Sequence, residues 1–550
     1  MKKLFFLPAL AAMMFSSCSS DEPTVDNPAD QTGDHYMTVK LRTAGLNGSR
    51  AAEVGNPEFE DGTDQESSIA AADLWFFFYD DLGNAFPIAP SNVNGTVSTN
   101  MVTPTSIKTQ IGPGNDAEIV GELVLGSPTT GGYKGQLPTQ VLVVANGDKD
   151  RIGTLENMNL STILTQTSTA PTAWGANAKF LMTSSVYFDG TGNKVAAVNV
   201  EKNIKNTKKE AEETPAIIYI ERVAAKVRAS WSADNNFTIQ QRNGENLTPG
   251  QFTFIDYVDG EYVTVRSQTF TAEINGWQLI NKANRANAFK ALPGKNLTEA
   301  IAELGANDAT NWVWNDDKRH RSYWAVSNTG TNWQKPLSSF KLNPTTPGVV
   351  ACANDNYTVN TAACEYCYEN TNYAENADAN DNLRKTSIWP TGIMVKATIK
   401  KDGAAINMYR YAGDYYTKAA IEHLIKTAYI SSHGDKVEAD LSVEFVDNND
   451  KSDNTYTAYV IDGTTRTQMN VYNSILWWKD GVTTYYLNVK HLNQKAGVVR
   501  NHIYDYHFDA LIGLGVPGDE PYTPTLTESF LAARVYVLNW HVVSNSVTLE

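Results

Sequence analysis
Leu74-Trp75-Phe76-Phe77-Phe78-Tyr79 is a short apolar run set between Asp73 and Asp80. A run this short, aromatic and closed by turn-forming residues reads as a central strand of a β-sandwich. Val141-Leu142-Val143-Val144 repeats the pattern. Upstream, Met37, Val39 and Leu41 alternate with Thr38 and Lys40, the period of a half-buried strand. Strand signals continue over 118–125, 179–188, 195–200, 217–231, 262–279, 392–400, 455–461, 483–489, 498–511 and 535–549. Asp402-Gly403, Asp462-Gly463 and Asp480-Gly481 supply hairpin chemistry between them. Helical spacing is confined to Ile421, Leu424, Ile425 and Ala428, with Thr417 as cap, and to 298–304, stopped by Gly305. The expected class is all-β with a few short helices. Strands do not alternate with helices as they do in nucleotide-binding folds.

At 550 residues the chain exceeds one ordinary core, so two or three domains are expected. A hydrophobic content of 42% suffices to pack them. The net charge of −16 argues against a nucleic-acid partner, which needs a basic face to neutralise phosphates.

The N-terminus specifies an address. Lys2 and Lys3 precede an apolar stretch from Leu4 to Phe15, then Ser16-Ser17-Cys18. That is the layout of a secretory signal, too short to span a bilayer. A cysteine directly after the small pair makes 1–17 resemble a bacterial lipoprotein signal, leaving Cys18 as an acylated N-terminus. The polar tract that follows, to Gly33, reads as a tether. With Cys18 committed to lipid, Cys352, Cys364 and Cys367 remain, so at most one disulfide can form.

The stretch 43–68 is rich in Gly, Ser, Asp and Glu and contains Gly48-Ser49-Arg50-Ala51-Ala52. Arg50 among small neighbours suits a trypsin-like protease, with Arg42 as the second candidate; an ordinary surface loop is the plainer reading of the arginine alone. A cut there frees the Met37–Leu41 strand and leaves a sheet with an open groove. Val535, Val537, Leu538, Trp540, Val542, Val547 and Leu549 form a longer strand-like segment at the other end. Fully buried, those side chains contribute on the order of 10–20 kcal/mol gross, more than the three anchors of the leader. β-strand addition between molecules would then fill the groove. The expected organisation is signal 1–17, tether and removable strand 18–50, domains 51–232 and 233–533, and donor strand 534–550. The Lys-rich stretch 202–213 reads as an exposed loop, and 354–382 as long Asn-rich loops.

Several stretches in order along the chain carry a resemblance. They are Asn56–Gly62 followed by Leu74–Asp80, Phe180–Ser185, Tyr219–Val227, Arg321–Ala325, Tyr366–Thr371, and Gly497–Tyr504 with Gly513–Pro517. In these the chain resembles the major subunit of the short (minor) fimbriae of Bacteroidales, lipoprotein-derived fimbrillins. The resemblance implies two transthyretin-like β-sandwich domains and export as a palmitate-bearing outer-membrane lipoprotein precursor. It also implies arginine-directed proteolysis and donor-strand polymerisation into a surface fimbrium that mediates adhesion. The lipid then falls on Cys18, the cut after Arg50 and the donor on Arg534–Leu549. Implied partners are copies of the chain, accessory fimbrial subunits and a surface receptor the sequence does not name. The extra length of 354–382 departs from the family's pattern.

Other motifs lack context. Gly513–Gly518 matches GxGxxG, but Pro517 interrupts it and no helix signal follows. Cys364-Glu365-Tyr366-Cys367 has CxxC spacing without a second ligand pair, so a disulfide with Cys352 is favoured over zinc. His502 and His507 sit an odd number of residues apart, on opposite strand faces, and His491 reads as isolated. Asp447–Asp453 has Ser452 and Ala458 where a calcium loop needs Gly and Glu. There is no GxSxG, HExxH, P-loop or glycosidase-like carboxylate pair. No enzymatic activity, metal or cofactor is expected. The alternatives are an accessory or anchor adhesin that does not polymerise, and a surface glycan-binding lipoprotein.

Overall fold
The computed structural model describes residues 34–43, 69–304, 364–371, 391–518, 530–538 and 543–547, apart from short interior breaks. The described chain is all-β, in several sheets with few and mostly short helices.

The first sheet is built around the two apolar runs. Leu74–Tyr79 pairs antiparallel with Gln140–Ala145, and both are buried nearly throughout. Alternation divides their side chains between two cores. Phe76, Phe78, Val141 and Val143 join Met37, Val39 and Leu41 on one face. Trp75, Phe77, Leu142 and Val144 join a second core on the other. A strand covered on both faces needs no polar side chains, which explains the unbroken run. The second core also takes Ala286, Phe289 and Leu292, so a stretch far downstream returns to cover this sheet. There Arg285–Asn287 pairs with Thr167–Thr169.

The expected strand over 217–231 is two strands. Ala216–Arg222 belongs to the first sheet and Ala224–Trp231 to the second, so the chain crosses between sheets at the fully buried Val223. In the second sandwich Ala224–Trp231 runs parallel to Ile503–Ile512 and antiparallel to Cys364–Tyr368. The sheet of Thr271–Ile280, Gly392–Lys401 and Val482–Asn488 faces it. Trp277, Tyr485, Phe508 and Val395 fill the core between them. A third sheet, from Glu261–Gln268 at one edge to Leu441–Asp447 at the other, is covered by the helix Lys418–His433. Thr417 caps that helix as its spacing predicts, accepting from the Ala420 amide at 3.3 Å, and Ile421 and Ile425 are fully buried.

Residues 202–213 differ from the expected loop. Thr207 caps a helix over Lys208–Glu213 and donates to Glu210 Oε2 at 2.6 Å, a reciprocal cap the charged composition concealed. The run 498–511 also begins later than its hydrophobicity suggests. Its strand starts at Ile503, because before it Val498 bonds Asn370 and Asn501 bonds the Ala224 carbonyl instead of continuing the ladder.

Candidate functional site
Met37, Val39 and Leu41 are about 1% exposed or less. The strand carrying them, Asp34–Thr43, lies inside the first sheet rather than at its edge. On one side it runs antiparallel to Ala117–Gly126, from Asp34↔Gly126 to Arg42↔Glu118. On the other it runs parallel to Ala216–Arg222, from Val39↔Ala216 to Thr43↔Ile220, with Ile204–Lys205 covering its first half. Its alternation predicts one solvated face, yet Thr38 is also buried, as is His35. The Lys208–Glu213 helix accounts for part of this cover. Lys208 Nζ sits 2.8 Å from Glu122, the residue opposite Thr38. The bond from Lys208, with further bonds from Ser106 and Lys108, holds the Glu122 carboxyl down to about 2.

Removing Asp34–Thr43 would unpair the facing edges of two strands and empty three aliphatic positions. At ~1.5–3 kcal/mol per side chain that is roughly 5–9 kcal/mol gross, comparable with a domain's whole stability. Vacated, the slot would leave unpaired backbone and an apolar groove in the first sheet.

The sequence-predicted residues divide around this slot. Leader residues Met37, Val39 and Leu41 are in it. Arg42 stands in the same strand with its backbone paired to both neighbours. Cys18 and Arg50 lie outside the described residues. In the tail, Val535, Val537 and Leu538 belong to Phe530–Leu538 and Val547 to Val543–Val547, whereas Trp540, Val542 and Leu549 lie outside the described residues. The tail is therefore two strands where one was expected. Phe530–Leu538 pairs antiparallel with Ile503–Ile512, and Val543–Val547 turns back upon it.

Three of the motif stretches converge on the joint between the sandwiches. Arg500, fully buried, donates from Nε (3.2 Å) and Nη2 (3.1 Å) to the buried Glu369, and from Nη2 to the Asn287 carbonyl at 2.8 Å. Beside it Lys290 Nζ meets Glu221 at 2.7 Å, both at 3% side-chain exposure or less. Burial pushes the Glu221 carboxyl up, against the pull of Lys290 and Arg500, and pushes the Lys290 ammonium down, against Glu221. Burial also works against the Arg500 charge, but Glu369 and Glu221 outweigh it and hold the guanidinium charged. Sequence reading passed over these four residues, because each carries an ordinary surface charge until the fold buries it.

Cys367 is a free thiol inside the core of the second sandwich, pushed up to about 12 by burial. Cys364 begins the strand Cys364–Tyr368 that carries it. A bridge between Cys352 and Cys364 would involve a residue outside the described ones and a side chain outside them. His491, read as isolated, packs edge-on against His502 at 5.1 Å and bonds Tyr504 at 3.1 Å. Burial, then His502, keeps its imidazole well below the usual range. Among the described residues no His, Cys, Asp and Glu cluster could hold a metal ion.

No family model and no curated protein matches the chain. Among solved structures, a candidate cell adhesion protein from Parabacteroides distasonis is similar over 91% of this chain and 96% of its own, at 9% identity and a TM-score of 0.37. A candidate cell adhesion protein from Bacteroides eggerthii is similar over 94% and 97%, at 10% identity and a TM-score of 0.34. A fimbrial assembly protein from Parabacteroides distasonis is similar over 93% and 98%, at 9% identity and a TM-score of 0.30.

Proposed function
We propose that the chain is a structural subunit of a cell-surface fimbria, with no enzymatic activity. It is exported as a lipoprotein with lipid on Cys18, and proteolysis removes the leader strand. A strand from the C-terminal segment of another copy then fills the vacated slot. The observation that carries this reading is the position of Asp34–Thr43. The strand is paired on both sides, yet it comes from the end of the chain that a cut in 43–68 would release. A protease binds substrate as an extended, unpaired segment. That favours Arg50 over Arg42, whose backbone is already engaged in two ladders.

The donor reading rests on the tail's apolar alternation and its place in the sheet. Among the described residues Ile503–Ile512 is the one strand of the second sandwich's body that Phe530–Leu538 pairs with. It can be withdrawn without splitting a sheet in two.

The experiment treats the folded full-length precursor with an arginine-specific protease and runs the product on a denaturing gel without boiling. A ladder that disappears on deletion of 534–550 supports the reading. Clean cleavage that leaves only monomer overturns it in favour of an accessory adhesin. For that second role the polar cleft of about 440 Å³ lined by Asn236, Thr271, Glu273 and Asp402 is the place to seek a ligand.

A further inference from the structure
Glu261–Gln268 forms one edge of the helix-covered sheet. It pairs antiparallel with Phe252–Val258, and no other described strand pairs with it. Six of its eight residues are exposed, with Tyr262 at 48% and Val263 at 42%. Val258, opposite Glu261, is 47% exposed, so three of the seven large exposed hydrophobics among the described residues lie on this one hairpin. An exposed edge rich in β-branched and aromatic residues is a template for another strand.

Three other sheet edges carry guards against such pairing. Ser106–Ile111 has Lys108, with its side chain 68% exposed. Asn246–Pro249 ends on a proline, and Leu441–Asp447 carries Glu444 and Asp447. From Tyr262 to Val265 there is no charged residue and no proline, and the bulge in this pair comes only after Val265. Unguarded edges are retained where something covers them.

The occupant this edge fits is itself. Two copies of one strand paired antiparallel about a two-fold axis must place some residue opposite its own counterpart. Centred on Thr264, the register sets Thr264 against Thr264, Val263 against Val265 and Tyr262 against Arg266. Thr–Thr, β-branched and cation–aromatic pairs are all stabilising across strands. Centring on Val263 instead sets Glu261 against Val265, and centring on Val265 sets Thr264 against Arg266 and forfeits the tyrosine contact. The Tyr262 ring is already braced for a cation, edge-on to Tyr257 at 5.3 Å and to His423 at 5.4 Å. Glu438, 2.8 Å from His423, adds a carboxylate on that side. We infer that two copies associate side by side through this edge, in the Thr264-centred register, independently of the strand slot.

The test uses the full chain with Cys18→Ser, and adds Thr264→Cys or, as an equally accessible control, Val258→Cys. A central cross-strand pair has its Cα atoms about 4.5–5.5 Å apart, inside the disulfide range. Under mild oxidation the Thr264→Cys chain should form covalent dimer about tenfold faster than the control. Adding Val263→Lys, a change at an exposed position, should return it to the control rate. Sedimentation should show concentration-dependent dimer that Val263→Lys abolishes. Equal cross-linking rates at the two positions, or a monomer at every concentration, would overturn the inference.

Discussion
The leader strand and the tail both supply backbone to a sheet, but they are held differently. Asp34–Thr43 has a partner on each side and buries Met37, Val39 and Leu41 almost completely. Phe530–Leu538 has the body of the sandwich on one side and only its own returning strand, Val543–Val547, on the other. A strand inside a sheet cannot leave without opening two ladders, whereas a terminal hairpin leaves by breaking one. Under the proposed exchange the difference sets direction: the leader would need proteolysis to go, and the tail would be the segment that travels.

Excising Asp34–Thr43 without supplying a donor should have the largest effect. The first sandwich should lose cooperative unfolding, seen as a split denaturation curve. A single unchanged transition would show that the slot tolerates vacancy. Excising Val543–Val547 should leave the transition single, and an equal loss would erase the contrast.

Arg500→Met strands the Glu369 carboxylate in the joint and should cost about 3–5 kcal/mol, read as a shift of the urea midpoint. Both sandwiches should loosen together, because Arg500 ties residues 287 and 369 at one point. Leu41→Ala should cost about 2–4 kcal/mol. A loss below 1 kcal/mol would mean that the leader is not packed as described. In hydrogen exchange, leader amides of the uncut chain should be protected well beyond those of Val543–Val547.

The smallest effect belongs to Glu122→Gln, which removes the Lys208 bond over the slot. Glu122 titrates below its unfolded value, so its contribution is full above the ordinary carboxylate range. It is lost as pH falls toward about 2. The variant should melt slightly lower than the parent at pH 7 and together with it near pH 2.

Much of the slot was legible because alternation is local. Met37, Val39 and Leu41 announce a half-buried strand, and Leu74–Tyr79 a fully buried one. The capped helix at Thr417 follows from spacing alone. The crossing at Val223 was hidden, because apolar residues continue on both sides of the break with no Gly or Pro between. The second tail strand was hidden for a related reason: hydrophobicity marks both strands, while residues 539–542 include no Gly or Pro to announce a break. His491 read as isolated because His502, just ahead of the strand Ile503–Ile512, is brought beside it only by the fold.

Composition and periodicity by themselves determined the all-β class and the strand over Met37–Leu41, since each depends on residues adjacent in the chain. Only the tertiary structure decided that the leader lies between two strands. It alone gathered Glu221, Lys290, Glu369 and Arg500 into one buried joint, and it left Glu261–Gln268 at an open edge. Pairing partners and burial are properties of distant segments meeting, and a charged residue reads the same in sequence whether it ends in water or in a core.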